Sequence, residues 1–273
     1  MNLPNFQSPI SEVVKQMDNT TWFIHAQLFD DLLIVANPVT AAFVLKTTDG
    51  LILIDAIFPK EEMYRAIVNA IRDIGWDPGQ IKKFLITHGH LDHCGCGRWV
   101  VENHHPETYL SKIDDEFWRD CPAFPDRKDT LKDFDIDHYV ADGDEIVLGD
   151  TVIRVLFTPG HTPGGLSYIF PVHDNGVRHM AGMWGGTNPP GNLKGIVEYF
   201  YSLEHFQEEA AKYHCDVTLN NHPSFDGYSK IEYAKNRASH MPNVYVIGEE
   251  NFQRFCKVFR ILCYDKLTEL AAK

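Results

Sequence analysis

The sequence predicts one α/β domain over residues 1–273, and three observations carry that expectation. Short β-branched runs alternate with helix-periodic segments along the whole chain, and no low-complexity tract or Ser/Gly-rich linker divides it. Three of the expected strands also run directly into loops that carry a histidine. At 44% hydrophobic and 12% aromatic residues, a chain of 273 residues is able to bury one large core.

Each element follows in order. Residues 22–56 carry β-branched runs, and Asp49-Gly50 between Phe43-Val44-Leu45 and Leu51-Ile52-Leu53-Ile54 predicts a hairpin in a leading sheet. Met63, Ala66, Ile67, Ala70, Ile71 and Ile74 have the spacing of one helical face over 60–74, and Gly75 follows as a stop. The strand Phe84-Leu85-Ile86 runs into Thr87-His88, at the C-terminal strand end where open α/β sheets place ligands. A helix from about Arg98, a strand at 108–110 and an aromatic insertion over 114–134 with Phe117, Trp118, Phe124 and Phe134 come next. Strands at 145–148 and 151–157 lead into Thr158-Pro159-Gly160-His161. Strands at 166–170 and 177–181 precede a loop over 182–195. Helices at 202–213, 228–238 and 249–271, with a strand at 216–219 ending in Asn220-Asn221-His222, complete the chain.

A formal charge of −13 argues against a nucleic-acid partner, because phosphate affinity comes from clustered Lys and Arg. The longest apolar stretch, 32–45, is broken by Asn37, Pro38 and Thr40 and is shorter than the ~20 residues that cross a bilayer, so no membrane partner is expected. The first residues lack a basic start followed by an apolar core, which gives a cytoplasmic expectation. The six cysteines, Cys94, Cys96, Cys121, Cys215, Cys256 and Cys263, are scattered and are expected to be thiols; Cys94 and Cys96 lack zinc-knuckle spacing and are expected to pack.

His88-Gly89-His90-Leu91-Asp92-His93 places three imidazoles and a carboxylate in six residues. Nitrogen and oxygen donors so close together suit a cation such as zinc, and without one they would repel or stay unsatisfied. His88 and His90 alternate toward one ion, while Asp92 and His93 turn toward a second. The histidines away from the strand-end loops are expected to be ordinary surface or core residues.

HGHLDH, together with PGHTPG at 159–164 and the distal histidine before Pro223, resembles the metallo-β-lactamase superfamily. The resemblance extends over GLILIDA at 50–56, DGDEIVLGDTVIRVLFTPGHTPG at 142–164 and NNHPSFDGY at 220–228. It implies a four-layer αββα sandwich and a hydrolase with two zinc ions. Carried over residue by residue, it puts His88, His90 and His161 on one ion, Asp92, His93 and His222 on the other, and Asp55 close behind the metal loop. Relatives of the glyoxalase II and lactonase type bridge their metals with an Asp on the loop before the last histidine, and other β-lactamase subclasses use a Cys there. Residues 175–197 contain no Asp, Glu or Cys, and the corresponding position falls near Gly182 and Met183. The resemblance is therefore nearest to the third subclass of metallo-β-lactamases, although Met183-Trp184-Gly185-Gly186-Thr187-Asn188 stands where that subclass usually has serines.

The resemblance implies a small-molecule substrate, a cyclic amide or ester attacked by a zinc-held hydroxide, with a thioesterase or lactonase acting on an acyl metabolite as the alternative. Asp92 is the expected catalytic carboxylate, orienting the hydroxide. Thr187, Asn188, Lys194 and Tyr228 are the expected substrate contacts, and the insertion over 114–134 is expected to wall the pocket. With no protein bridge, the second ion is expected to be held more weakly, with Met183 or a neighbour beside it.

Overall fold

Strand burial decides the layers. The structure, a computed structural model, describes residues 23–119 and 134–272. Its leading meander is β1 (Ile24–Phe29), β2 (Leu32–Ala36), β3 (Ala41–Thr47) and β4 (Gly50–Ile54). Successive side chains of a strand point to opposite faces. Phe43, Leu45, Ile52 and Ile54 therefore enter one core, and Ala42, Val44, Leu51 and Leu53 enter another. A strand apolar on both faces needs a cover on each side.

The outer cover comes from the crossovers. Helix α1 (Glu61–Asp73) buries Met63, Ile67, Val68, Ala70 and Ile71, starts with Glu61 and Glu62 and ends with Arg72, matching the charges of its ends. Gly75, at φ +80°, lets the chain turn back, and Trp76 N–H donates to Ile71 O at 3.0 Å. Parallel strand β5 (Ile81–Leu85) follows, then α2 (Leu91–Cys94), α3 (Gly97–His104), β6 (Glu107–Leu110), α4 (Lys112–Arg119) and the short β7 (His138–Tyr139). Strands β1 to β7 form a seven-stranded sheet in sequence order.

The second sheet is built from β8 (Glu145–Leu148), β9 (Thr151–Phe157), β10 (Leu166–Asp174), β11 (Val177–Trp184) and β12 (Val217–Asn220), in the order β12-β11-β10-β9-β8. Helix α5 (Leu193–Lys212) makes the parallel crossover from β11 to β12. Short helices α6 (Pro223–Asp226) and α7 (Ser229–Asn236) and the long α8 (Glu249–Ala271) follow. Val155, Tyr168, Phe170, Val172 and Ala181 face the first sheet across the inner core, while Leu156, Ile169 and Trp184 meet Ile196, Tyr199, Leu203, Phe206 and Phe252 outside. Each such aliphatic side chain contributes about 1.5–3 kcal/mol by burial. The architecture is the four-layer αββα sandwich implied by the motifs.

Three boundaries differ clearly from expectation, one of them the end of β10, which runs to Asp174 rather than Phe170. Helix α5 starts at Leu193 rather than Ser202, because Asn192 caps it by accepting from Gly195 N–H at 2.8 Å. Strand β11 continues to Trp184, three residues past Ala181, held in register by Tyr168 of β10 and by Leu219 and Asn220 of β12. The loop between them is correspondingly shorter. Among the described residues, no helix is long and apolar enough to cross a membrane.

Candidate metal centre

The ends of β4, β5, β9, β11 and β12 and the start of β3 meet at one edge of the sandwich. Leu166 N–H donates to Thr87 O at 2.8 Å and Ala41 N–H to Asn221 O at 2.9 Å, so the two sheets are joined there. The loops leaving β5, β9 and β12 bring six donors together in two groups. His88, His90 and His161 form one, and Asp92, His93 and His222 the other, with the ligand-type atoms of each group within 4.8 Å of one another. In the first, His90 Nδ1 lies 3.0 Å from both His88 Nε2 and His161 Nε2. In the second, His93 Nε2 lies 3.1 Å from His222 Nε2 and 3.5 Å from Asp92 Oδ2. The His88 and His93 rings are 4.1 Å apart between centroids, so the groups adjoin.

Hydrogen bonds on the far side of the rings decide which nitrogens face inward. His161 Nδ1 donates to Asn188 O at 2.7 Å, and His222 Nδ1 donates to Val39 O at 2.7 Å. His93 Nδ1 donates to Asp55 Oδ2 at 2.8 Å. Thr87 spends its hydroxyl proton on Asp55, so His88 Nδ1, 3.1 Å away, donates to Thr87 Oγ1. In neutral rings this leaves lone pairs on the inward Nε2 atoms, the arrangement that metal-bound histidines adopt.

The electrostatics agree with a cation site. Burial, reinforced by the neighbouring imidazoles, pushes His88 well below the ordinary histidine value and His161 down to about 3, so both rings are neutral. Burial alone would lower His93, but the Asp92 and Asp55 carboxylates outweigh it and push it up to about 10. Burial likewise opposes ionisation of Asp92, yet His93 and His222 hold it well below the usual carboxylate range. The second group therefore carries an anion beside a ring that retains positive charge, a place where a bound cation would supply the positive charge instead of the proton. The converging donors of both groups fit metal ions.

Asp55 lies directly behind the second group. At φ +60° and fully buried, it also accepts from Thr87 N–H at 2.8 Å and from Asn221 Nδ2 at 3.2 Å. Asn221 and Thr40 were not singled out by sequence. Asn221 Nδ2 also donates to Gly185 O at 2.8 Å, and Thr40 Oγ1 donates to Asp92 O at 3.0 Å. Asp114 was missed as well, since sequence placed it at the start of the insertion. Its carboxyl, pushed up to about 6 by burial, accepts from the backbone of both histidine loops. Only the unusual Asn220-Asn221 pair before His222 offered any hint in the sequence.

Several expected contacts take other positions. Thr187 is fully buried, with its one hydroxyl proton shared between the side-chain oxygens of Asn220 and Asn221, so its hydroxyl braces the end of β12 from inside. Asn188 reaches the centre through its backbone carbonyl. Lys194 lies in the first turn of α5, with 85% of its side chain exposed and 3.7 Å from Glu198. Tyr228 packs against the inner core at the start of α7. Met183 belongs to the core between the sheets, in register with Tyr168 and Leu219, and Gly182 faces Phe252 and Phe206 outside. The position that abuts the metal loop is Gly185, where a Cβ would stand 3.0 Å from Thr87 Cβ and 1.9 Å from Leu166 O. No bridging side chain fits there.

The insertion divides between layers. Phe134 is buried 6.0 Å from Phe84 in the outer core, and Phe117 is 43% exposed on α4. Phe124, Cys121 and the Trp118 side chain lie outside the described residues. The remaining five cysteines are buried free thiols, Cys94 with its Sγ 3.3 Å from His90 O. Histidines elsewhere have ordinary partners, such as Asp31 for His173 and Asp216 for His179.

Two groups of metal-type donors thus sit side by side at one edge of an αββα sandwich. The model of the metallo-beta-lactamase superfamily matches residues 37–174, and the chain belongs to that superfamily. Its fold is similar to that of a subclass B3 metallo-beta-lactamase of Bradyrhizobium japonicum, with TM-score 0.76 and 24% identity over 94% of this chain and 98% of that one. It is similar also to the native metallo-beta-lactamase from Legionella gormanii, with TM-score 0.75 and 22% identity over 92% of this chain and 98% of that one. In sequence it is 25% identical to an N-acyl homoserine lactonase of Agrobacterium fabrum over 62% of this chain and 68% of that protein. It is 30% identical to a hydroxyacylglutathione hydrolase of Buchnera aphidicola over 45% of this chain, an alignment that spans only 40% of that relative's length.

Proposed function

We propose that this protein is a dizinc hydrolase that opens a cyclic amide or ester, with β-lactams as the model substrate. The observation that carries the reading is the second donor group, an Asp and two His, beside a strand end where Gly185 leaves no room for a bridging acid or thiol. His88, His90 and His161 would hold one ion, and Asp92, His93 and His222 the other. When bound, zinc supplies Lewis acidity and a water nucleophile at neutral pH. Thr87, Asp55, Val39 O and Asn188 O keep the ring nitrogens turned inward. Asp92, held ionised by His93 and His222, offers its carboxylate to orient the attacking water through a hydrogen bond.

A lactonase or thioesterase acting on an acyl metabolite is the second reading, favoured by the named activities of the lactonase and hydroxyacylglutathione hydrolase relatives. The glycine at 185 weighs against it, because the resemblance gives that type a bridging Asp. Hydrolysis assays of the zinc-loaded protein on β-lactams, lactones, thioesters and phosphodiesters separate the two. Cleavage of β-lactams, lost with EDTA and restored by zinc, is the expected result. Turnover of acyl lactones or thioesters without turnover of β-lactams favours the second reading, and inactivity toward every carbonyl substrate overturns both.

A further inference from the structure

An acid in the first turn of a helix ordinarily serves its own helix end. Asp114 of α4 does something else. Its Oδ2 accepts from Gly89 N–H at 2.8 Å and from Thr162 Oγ1 at 2.9 Å, and its Oδ1 accepts from Gly164 N–H at 2.7 Å. None of these donors belongs to α4. The free N–H of Asp114 is satisfied by Ser111 Oγ at 3.1 Å, and that hydroxyl in turn donates to Gly164 O at 2.6 Å. The first turn of α4 is thus bound to the loop after β9 from both of its sides. The fit is close: a Cβ at Gly164 would stand 2.3 Å from Ser111 Oγ and 2.4 Å from Asp114 N.

The donors are placed where they matter. Gly89 separates His88 from His90, and Thr162 follows His161. A single fully buried carboxylate therefore ties the backbones of the two histidine loops together, beside the Leu166 N–H to Thr87 O hydrogen bond that also joins them. No hydrogen bond connects it to Asp92, His93 or His222; behind that group stand Asp55 and Asn221. We infer that Asp114 is a positioning residue for the three-histidine group alone, setting the separation of His88 and His90 from His161 and hence the metal affinity of that group. The inference rests on the metal-site assignment given under the proposed function.

The test isolates each group in the full chain and measures zinc affinity by competition with a chelator. His222→Ala leaves the three-histidine group intact, and His161→Ala leaves the group of Asp92, His93 and His222 intact. Asp114→Asn turns an amide N–H toward a backbone N–H. Loss of a partner bonded to a ligand ring itself weakens binding by about 10- to 100-fold, and Asp114, one backbone step away from the rings, is expected to act at the lower end, about tenfold. That loss is expected in the His222→Ala background, with a change of no more than about twofold in the His161→Ala background. Thr162→Val removes one of the three hydrogen bonds and is expected to weaken the same group to a smaller degree. It provides the measurement if Asp114→Asn fails to fold. Equal losses in the two backgrounds would reveal general destabilisation and overturn the inference, as would unchanged affinity in the His222→Ala background. If His222→Ala protein takes up no zinc at all, the metal-site assignment itself is wrong, and that result is distinct from a site that binds zinc with or without Asp114.

Discussion

Thr187 exposes none of its surface, and its hydroxyl lies 2.9 Å from Asn221 Oδ1 and within hydrogen-bonding distance of Asn220 Oδ1. Thr187→Val keeps the shape and removes the donor, leaving the buried Asn221 Oδ1 short of a partner while Asn220 Oδ1 still accepts from His222 N–H. The expected cost is about 1–2 kcal/mol of stability by urea unfolding, with KM for any hydrolysed substrate changed little. A large KM effect without loss of stability would restore Thr187 as a substrate contact. At this scale the six clustered donors were legible in the sequence and, Asp55 aside, the residues behind them were not. Spacing exposes the four donors of the HGHLDH run, and the family resemblance adds His161 and His222. The supports meet across long separations: Asp114 with Gly164 spans 50 residues, and Asn221 with Asp55 spans 166. Nothing local in a sequence marks such partners.

Elements with a strict apolar period, such as α1, were legible for the same reason, and so was the hairpin at Asp49-Gly50, since Thr47 pairs with Gly50 across it. The early start of α5 was hidden because Pro189-Pro190-Gly191 looks like loop, although Ile196 and Tyr199 already face the core. Element packing also makes an acid-sensitive joint. Arg237, just after α7, grips Asp174 at the end of β10, with Nη1 3.0 Å from Oδ2, and this hydrogen-bonded pairing holds Asp174 below the ordinary carboxylate value. A depressed folded pKa means that the stabilisation is present above the unfolded value and is lost as pH falls through the folded one. Asp174→Asn is expected to cost about 1.5–3 kcal/mol at pH 7, from the loss of charge-assisted hydrogen bonds. The deficit relative to wild type should narrow once the pH falls below about 4. A deficit equal at pH 7 and pH 3 in urea titrations would show that the charge contributes nothing.

At the scale of the whole molecule, the two sheets place three histidine loops, the turn before β3 and the end of β11 at one edge. Burial makes His88 and His161 neutral, while Asp55 and Asp92 keep positive charge on His93. The αββα layering was legible because the motifs resemble one superfamily and the strands are apolar on both faces. The exact strand position beside the metal loop was not, because a shift of two residues, from Met183 to Gly185, leaves the alternation unchanged. The central claim is that these six side chains form two zinc sites. The most direct measurement is zinc content per chain, by mass spectrometry after zinc loading and removal of excess metal, for the wild type, His161→Ala and His222→Ala. The account predicts about two zinc ions in the wild type and about one in each variant, since each substitution opens one three-ligand group and spares the other. Zinc content in the wild type no higher than in either variant, or unaffected by both substitutions, would contradict it.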